Sequence, residues 1–257
     1  MSSPTPIAGD FLSLLASQQI PPLRSEAALA APVQTQATTV FAFHYRDGVI
    51  MAGDRRATAG NVIVTDQVDK ILEIDGSSLL AIAGVPATAF EMARVLQTSF
   101  EYYRRSQLQT LSLPAKVRAL ARLLRENIPM TMQGVGVVMP VFAALDHSVT
   151  PAQPQIFFYD PLGAQFHAVA HAASGSGSNS IRSIISFQEQ FGRPAPSKMD
   201  LSQAVQFSLR LLMVAAEFDS ATGGVNPANH NFATIRVLRP DGVQSVSPEE
   251  QAKLLQS

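Results

Sequence analysis

With 257 residues, 46% of them hydrophobic and 15% charged, the chain can bury a large core, and its composition excludes a disordered polymer. A net charge of -1 gives no basis for partnership with nucleic acid or an anionic membrane. Cysteine is absent, which excludes disulfides, thiol catalysis and thiolate metal sites together and suits a reducing cytoplasm.

Residues 1–37 differ in character from the rest of the chain. Met1–Gly9 is rich in Ser and Pro. Asp10 can cap a short helix over Phe11–Gln18, which Pro21-Pro22 ends. The apolar run Phe11–Ala16 is too short for a secretory signal, and an acid rather than a base precedes it. From Thr39 the pattern turns to strands. Thr39–Tyr45 and Val49–Gly53 flank Arg46-Asp47-Gly48, a strong hairpin signal. Arg55–Asn61 reads as a polar connection and Val62–Val64 as a short strand. Lys70–Ile74 and Leu79–Ala83 form a second hairpin about Asp75–Ser78.

The period then becomes helical from Ala87 to about Ser106 and again over Leu113–Asn127. The uncharged stretch Ile128–Leu145 approaches the length of a membrane span. It carries Pro129, Gly134, Gly136 and Pro140, so it reads as a turn followed by a buried strand. Strands return at Gly136–Leu145, Gln155–Tyr159 and Phe166–Ala172, the last two joined by a turn at Asp160–Gly163. Helices follow at about Ser180–Gln190 and Leu201–Glu217, with Asp200 or Ser197 as a cap for the second. A last strand pair, Phe232–Leu238 and Val243–Val246, precedes a terminal helix, Pro248–Leu255. Strands, a helix pair, strands, a helix pair and strands imply a layered α+β domain over the whole of 38–257, with no linker inside it.

Candidate chemistry gathers in two places. Asp54 lies sixteen residues after Thr38, and Lys70 sixteen after Asp54. A threonine hydroxyl becomes a nucleophile when a base takes its proton. A free α-amine on the same residue, with a pKa near ~8, serves if the chain is cut between Ala37 and Thr38. A buried Lys70 would need a carboxylate, and Asp54 can supply it. Taken singly, a strand-edge hydroxyl and two surface charges are the commoner case. The second place is Ser176 in SGSGS, with Asp219 and Thr222 in EFDSATGG. These are hydrogen-bonding groups at loop positions, where sites are often built. Phosphate binding by Gly175-x-Gly177 lacks its third glycine, since Ser180 stands there. His167 and His171 are four apart on a predicted strand, which is not a helical metal pair, and no cofactor is implied.

The run TTVFAFHYRDGVIMAGDRRATAGNVIVTDQVDK resembles the start of a mature proteasome β subunit, one of the N-terminal-nucleophile hydrolases. The likeness continues in order through IAG (Ile82–Gly84), GSGS (Gly175–Ser178) and DSATGG (Asp219–Gly224). DSATGG, the long leader with its Phe-Leu-Leu helix and the lack of cysteine look most like the bacterial, actinobacterial type. The resemblance implies a four-layer αββα sandwich of two antiparallel sheets. It implies that residues 1–37 are a propeptide removed by self-cleavage and that 38–257 is the catalytic β-subunit domain.

By that resemblance Thr38 is the nucleophile and its amine the general base. Asp54 and Lys70 are the activating pair, and Ser176, Asp219 and Thr222 position the amine and its water. The Gly84 N–H matches the oxyanion donor, and Thr58 with Gly84 would hold substrate as an extended strand. The matching specificity-pocket positions, Ala57, Val68, Leu72, Ile82, Pro86 and Phe90, are all apolar, which implies cleavage after hydrophobic residues. The partners implied are further β subunits in homo-oligomeric rings, α-subunit rings, an ATP-dependent unfoldase ring and unfolded protein substrates, all cytoplasmic. An HslV-type two-ring threonine protease and a non-catalytic structural ring subunit or unprocessed precursor are the alternatives. Relatives usually carry glycine where this chain has Ala37, often have serine at the place of Thr222, and have acidic residues where Glu217-Phe218 stands.

Overall fold

A computed structural model of the chain describes residues 38–59, 62–227 and 231–256. The predicted Phe11–Gln18 helix and the leader as a whole lie outside the described residues. In order, the strands are β1 (Thr39–Tyr45), β2 (Gly48–Gly53), β3 (Ala57–Ala59), β4 (Val62–Thr65), β5 (Ile71–Asp75), β6 (Ser78–Ala81), β7 (Val141–Asp146), β8 (Gln153–Tyr159), β9 (Gln165–Ala168), β10 (His171–Gly175), β11 (Thr234–Arg239) and β12 (Gly242–Ser245). The helices are α1 (Pro86–Gln107), α2 (Leu113–Glu126), α3 (Ile128–Met132), α4 (Ser178–Phe191), α5 (Leu201–Phe218) and α6 (Pro248–Gln256).

Two five-stranded antiparallel sheets carry the fold, one in the order β10-β1-β2-β11-β12 and the other β5-β6-β7-β8-β9. Alternation along each central strand sorts side chains to two faces. In β1, Phe41 and Phe43 point to a core shared with α4 and α5, while Val40 and Ala42 point to the layer between the sheets. In β7, Phe142 and Ala144 face α1 and α2, and Val141, Ala143 and Leu145 face the other sheet. Both faces of these strands are covered, so they read as unbroken apolar runs rather than as an alternating pattern. Three apolar layers between four structural layers make the αββα sandwich that the resemblance implies.

The helices follow local rules. Pro86 and Pro114 stand in the first turns of α1 and α2, where a missing N–H costs nothing. Asp200 caps α5 in a reciprocal capping box with Gln203.

Four expectations need correction. The turn expected at the start of Ile128–Leu145 is the short helix α3, with Pro129 in its first turn, where a missing N–H costs nothing. Arg55–Asn61 is not only a connection: it contains β3, which pairs with β4 as a separate two-stranded ribbon. Phe166–Ala172 is not one strand. It divides at Val169-Ala170 because β9 pairs with β8 in one sheet and β10 pairs with β1 in the other. The strand expected from Gly136 begins only at Val141, because Pro140 has no N–H to pair and the segment before it meets the chain at Gly84 through a single bridge to Val138.

Candidate active site

The end of the first sheet is assembled where β1 begins. Thr39 is the first residue of β1 and pairs with Gly175, the last of β10. The Ser176 N–H donates to the Thr38 carbonyl at 3.0 Å, and the Asp54 N–H donates to the Thr39 carbonyl at 3.1 Å. The main chain of Thr38, which is 5% exposed, is thereby held at the end of β10, and that of Thr39 at the end of β2. Gly175 allows this approach. Its φ is +96°, and a Cβ there would lie 1.6 Å from the Thr38 carbonyl oxygen.

Asp54 follows β2 and is almost wholly buried. Its Oδ1 accepts from the Thr39 N–H at 2.9 Å and from Lys70 Nζ at 2.7 Å. Its Oδ2 accepts from the N–H groups of Arg56 at 3.0 Å and Gly223 at 2.9 Å. Four donors on one carboxylate satisfy its acceptor capacity, as a buried charge requires. Lys70, just before β5, is equally buried. Burial holds its ammonium below the usual lysine value, against the attraction of Asp54.

The second cluster comes from two loops. Ser176 Oγ and Thr222 Oγ1 each donate to Asp219 Oδ2 at 2.5 Å. Asp219 sits at the end of α5, and its Oδ1 accepts from the Ala221 N–H at 3.1 Å. Gly223 links the clusters, since it follows Thr222 and donates to Asp54. Asp54, Lys70, Ser176, Asp219 and Thr222, drawn from distant parts of the chain, are therefore parts of one hydrogen-bonded assembly at the start of β1.

Gly84 lies after β6 with φ +112°. A Cβ there would stand 2.1 Å from the Val137 carbonyl oxygen, so the position admits glycine alone without rearrangement. Thr58 is buried on β3. Among the expected pocket positions, Leu72, Ile82 and Phe90 belong to the apolar cluster under α1 and α2. Pro86 opens α1, and half-buried Ala57 and Val68 stand on β3 and in the segment between β4 and β5. The Val68 N–H donates to the Arg55 carbonyl, which closes that segment back on the site.

Sequence reasoning missed two features. One is Thr39, whose hydroxyl lies inside the assembly; the threonine pair at 38–39 was the available signal. The other is a buried pair away from the site. Lys116 Nζ of α2 lies 2.6 Å from Asp75 Oδ2 and 2.7 Å from Ser77 Oγ, with the Phe100 ring beneath it. Nothing in the residues around Lys116 signals that burial. His167 and His171 fall on strands of different sheets, and His167 Nε2 meets Gln155 instead. Among the described residues no three His, Asp or Glu side chains are close enough to hold a metal ion. No described helix is long and apolar enough to cross a membrane.

Two facing antiparallel sheets sheathed in helices, with the first strand opening on a threonine, define the N-terminal-nucleophile hydrolase fold. Residues 34–227 match the family model described as proteasome subunit, and the chain belongs to that family. It is 34% identical to a proteasome subunit beta of Acidimicrobium ferrooxidans over 239 residues, covering 92% of this chain and 84% of the relative. With a proteasome subunit beta of Acidothermus cellulolyticus it shares 35% over 245 residues, or 93% and 81% of the two chains. With one of Streptomyces griseus it shares 34% over 254 residues, or 96% and 85%. The likeness is to actinobacterial β subunits, as DSATGG implied. Membership makes the chain a component of a proteasome core particle and places it in a family of proteases.

Proposed function

We propose that this chain is a threonine endopeptidase subunit whose working form begins at Thr38. The observation that carries the reading is the joined assembly of Asp54–Lys70 and Ser176–Asp219–Thr222 at the start of β1, where the Ser176 N–H holds the Thr38 carbonyl and Asp54 accepts from the Thr39 N–H. Removal of residues 1–37 frees the Thr38 α-amine. The amine takes the proton of the Thr38 hydroxyl as its oxygen attacks the scissile carbonyl carbon. Lys70, kept cationic by Asp54, supplies positive charge beside the developing oxygen anion of Thr38. The Gly84 N–H meets the carbonyl oxygen as it becomes an oxyanion, a contact worth about 3–4 kcal/mol in the transition state. Collapse breaks the C–N bond, and the protonated amine returns its proton to the departing amine of the product. Water then cleaves the ester on Thr38, with the same amine as base and Ser176, Asp219 and Thr222 ordering it.

Substrate lies as an extended strand against Thr58 and Gly84. The apolar positions Ala57, Val68, Leu72, Ile82, Pro86 and Phe90 favour cleavage after hydrophobic residues. The chain works in homo-oligomeric rings stacked with α-subunit rings in the cytoplasm, fed with unfolded protein by an ATP-dependent unfoldase. Mass spectrometry and N-terminal sequencing of the assembled particle test the reading. A mature chain starting at Thr38 is expected, and Thr38→Ala should abolish both maturation and peptidase activity. A full-length chain in inactive rings would make it a structural subunit. Faster cleavage of peptides with acidic or basic residues than of Tyr or Leu peptides would overturn the pocket assignment.

A further inference from the structure

Thr39 is completely buried and takes part in both halves of the site. Its N–H donates to Asp54 Oδ1 at 2.9 Å, on the same oxygen that receives Lys70. Its Oγ1 accepts from the Gly177 N–H at 3.0 Å and lies 2.5 Å from Thr222 Oγ1. The direction of that last bond follows from proton counting. A hydroxyl has one proton, and a carboxylate flanked by hydroxyls accepts. Thr222 spends its proton on Asp219 Oδ2 at 2.5 Å. The proton between the two threonines therefore belongs to Thr39. The result is a directed relay from Gly177 N–H to Thr39 Oγ1, from Thr39 to Thr222, and from Thr222 to Asp219, where Ser176 also donates. Each link polarises the next, so the relay ends as a strengthened hydrogen bond on the carboxylate.

We propose that Thr39 is a positioning residue of the active site. Its N–H orients Asp54 and, through the relay, its hydroxyl orients Asp219, so both carboxylates are set from the residue that is covalently next to Thr38. This rests on the reading of Thr38 as nucleophile. A hydroxyl here, which serine shares with threonine and valine or alanine lacks, gives an acceptor for Gly177 and a donor for Thr222 on one atom, and the threonine methyl adds the shape that fills the space against Gly177.

Thr39→Val keeps the branched shape and removes the donor and the acceptor together. Thr39→Ser keeps both hydrogen bonds and removes a methyl. Full-length chains carrying each change would be assembled with their partner rings, and mature N termini counted by mass spectrometry of intact subunits. Turnover of a hydrophobic fluorogenic peptide is then expressed per mature site. T39V is expected to lower kcat about tenfold to a hundredfold with KM changed less than about twofold, and T39S to stay within about threefold of the parent. A merely structural Thr39 would reduce the number of mature sites and leave turnover per site unchanged; that result overturns the proposal, as does equal loss in T39S and T39V. If T39V does not assemble, Thr39→Ala is measured under the same expectation and the same refutation. Thr38→Ala run in parallel separates the two ideas. Activity surviving T38A would remove the nucleophile reading itself, whereas activity lost in T38A and kept in T39V would remove only the role of Thr39.

Discussion

Replacing Asp54 by Asn changes one oxygen to an amide nitrogen and leaves the volume alone, so its cost can be worked from the hydrogen bonds. Oδ1 receives Thr39 N–H and Lys70 Nζ, and Oδ2 receives the N–H groups of Arg56 and Gly223. An asparagine offers a single oxygen in place of two. With its oxygen toward Lys70, the N–H groups of Arg56 and Gly223 face another donor, at about 1–3 kcal/mol each. With its oxygen toward Arg56 and Gly223, a buried ammonium is left beside an NH₂ group, at about 3–5 kcal/mol, and the Thr39 N–H loses its acceptor, at about 1–3 kcal/mol more. The first orientation is the cheaper and sets the cost near about 4 kcal/mol, a large part of the about 5–15 kcal/mol that holds a domain together.

Lys70→Met makes a useful contrast. It takes away the ammonium and leaves Asp54 charged and buried but with three main-chain donors still on it, so its cost to stability should be about 3 kcal/mol, below that of D54N. Both variants should lose at least about a hundredfold in peptidase turnover, because each dismantles the charge that the proposed mechanism places beside Thr38. Urea unfolding followed by circular dichroism gives the stability order, since the chain has no tryptophan to report by fluorescence. D54N within about 1 kcal/mol of the parent, or K70M the more destabilised of the two, would refute the accounting of donors.

Lys116→Met leaves Asp75 charged and without its cation. It should cost about 3 kcal/mol in the same assay while leaving turnover per mature site unchanged. Burial alone would raise the Asp75 carboxyl, but Lys116, Ser78 and Ser77 override it and hold the group below its ordinary value. Its contribution to stability is therefore complete above about pH 4 and drains away as pH falls through the lower folded value. Parallel unfolding at pH 6 and pH 3 should show the parent losing more than K116M. Gly84→Ala puts a Cβ 2.1 Å from the Val137 carbonyl oxygen, so the Gly84 N–H must move. Turnover should fall about 10²–10³-fold, and near-parental kinetics would remove Gly84 as the oxyanion donor.

The two sheets were legible because their turns are written in residues with one job. Arg46-Asp47-Gly48, Asp75–Ser78 and Asp160–Gly163 each sit between apolar runs, and each closes a hairpin. What the sequence hid depends on contacts between distant segments. Nothing local says that β9 and β10 part company at Val169-Ala170, because both are short and each pairs with a strand far away in the chain. Lys116 reads as a surface charge because its partner Asp75 is 41 positions earlier. At the site, side-chain types and order were readable, but the joining of Asp54 to the Asp219 cluster is not. It passes through the main-chain N–H groups of Gly223 and Thr39, which every residue but proline carries, so no pattern of side chains announces it.

Under the proposed mechanism, cleavage before Thr38 depends on the strand register just beyond it, and Gly175 puts that dependence within reach of experiment. β10 ends at Gly175 opposite Thr39, and the next residue donates its N–H to the Thr38 carbonyl. A methyl group on Gly175 would stand 1.6 Å from that carbonyl oxygen, and the φ of +96° is one an alanine resists. The carbonyl of Thr38 must then retreat by more than about 1 Å to reach an ordinary contact. A displacement of that size at a reacting residue costs about 10²-fold in rate. Self-cleavage and peptide hydrolysis use the same Thr38 hydroxyl under the proposed mechanism, so Gly175→Ala should slow both together. Gly76→Ala is the matched control, because a Cβ there meets nothing within 4 Å. Intact mass spectrometry over time after synthesis follows maturation of the two variants side by side. Prompt maturation of G175A, or slow maturation of G76A, would show that the register of β1 against β10 does not set the geometry at Thr38.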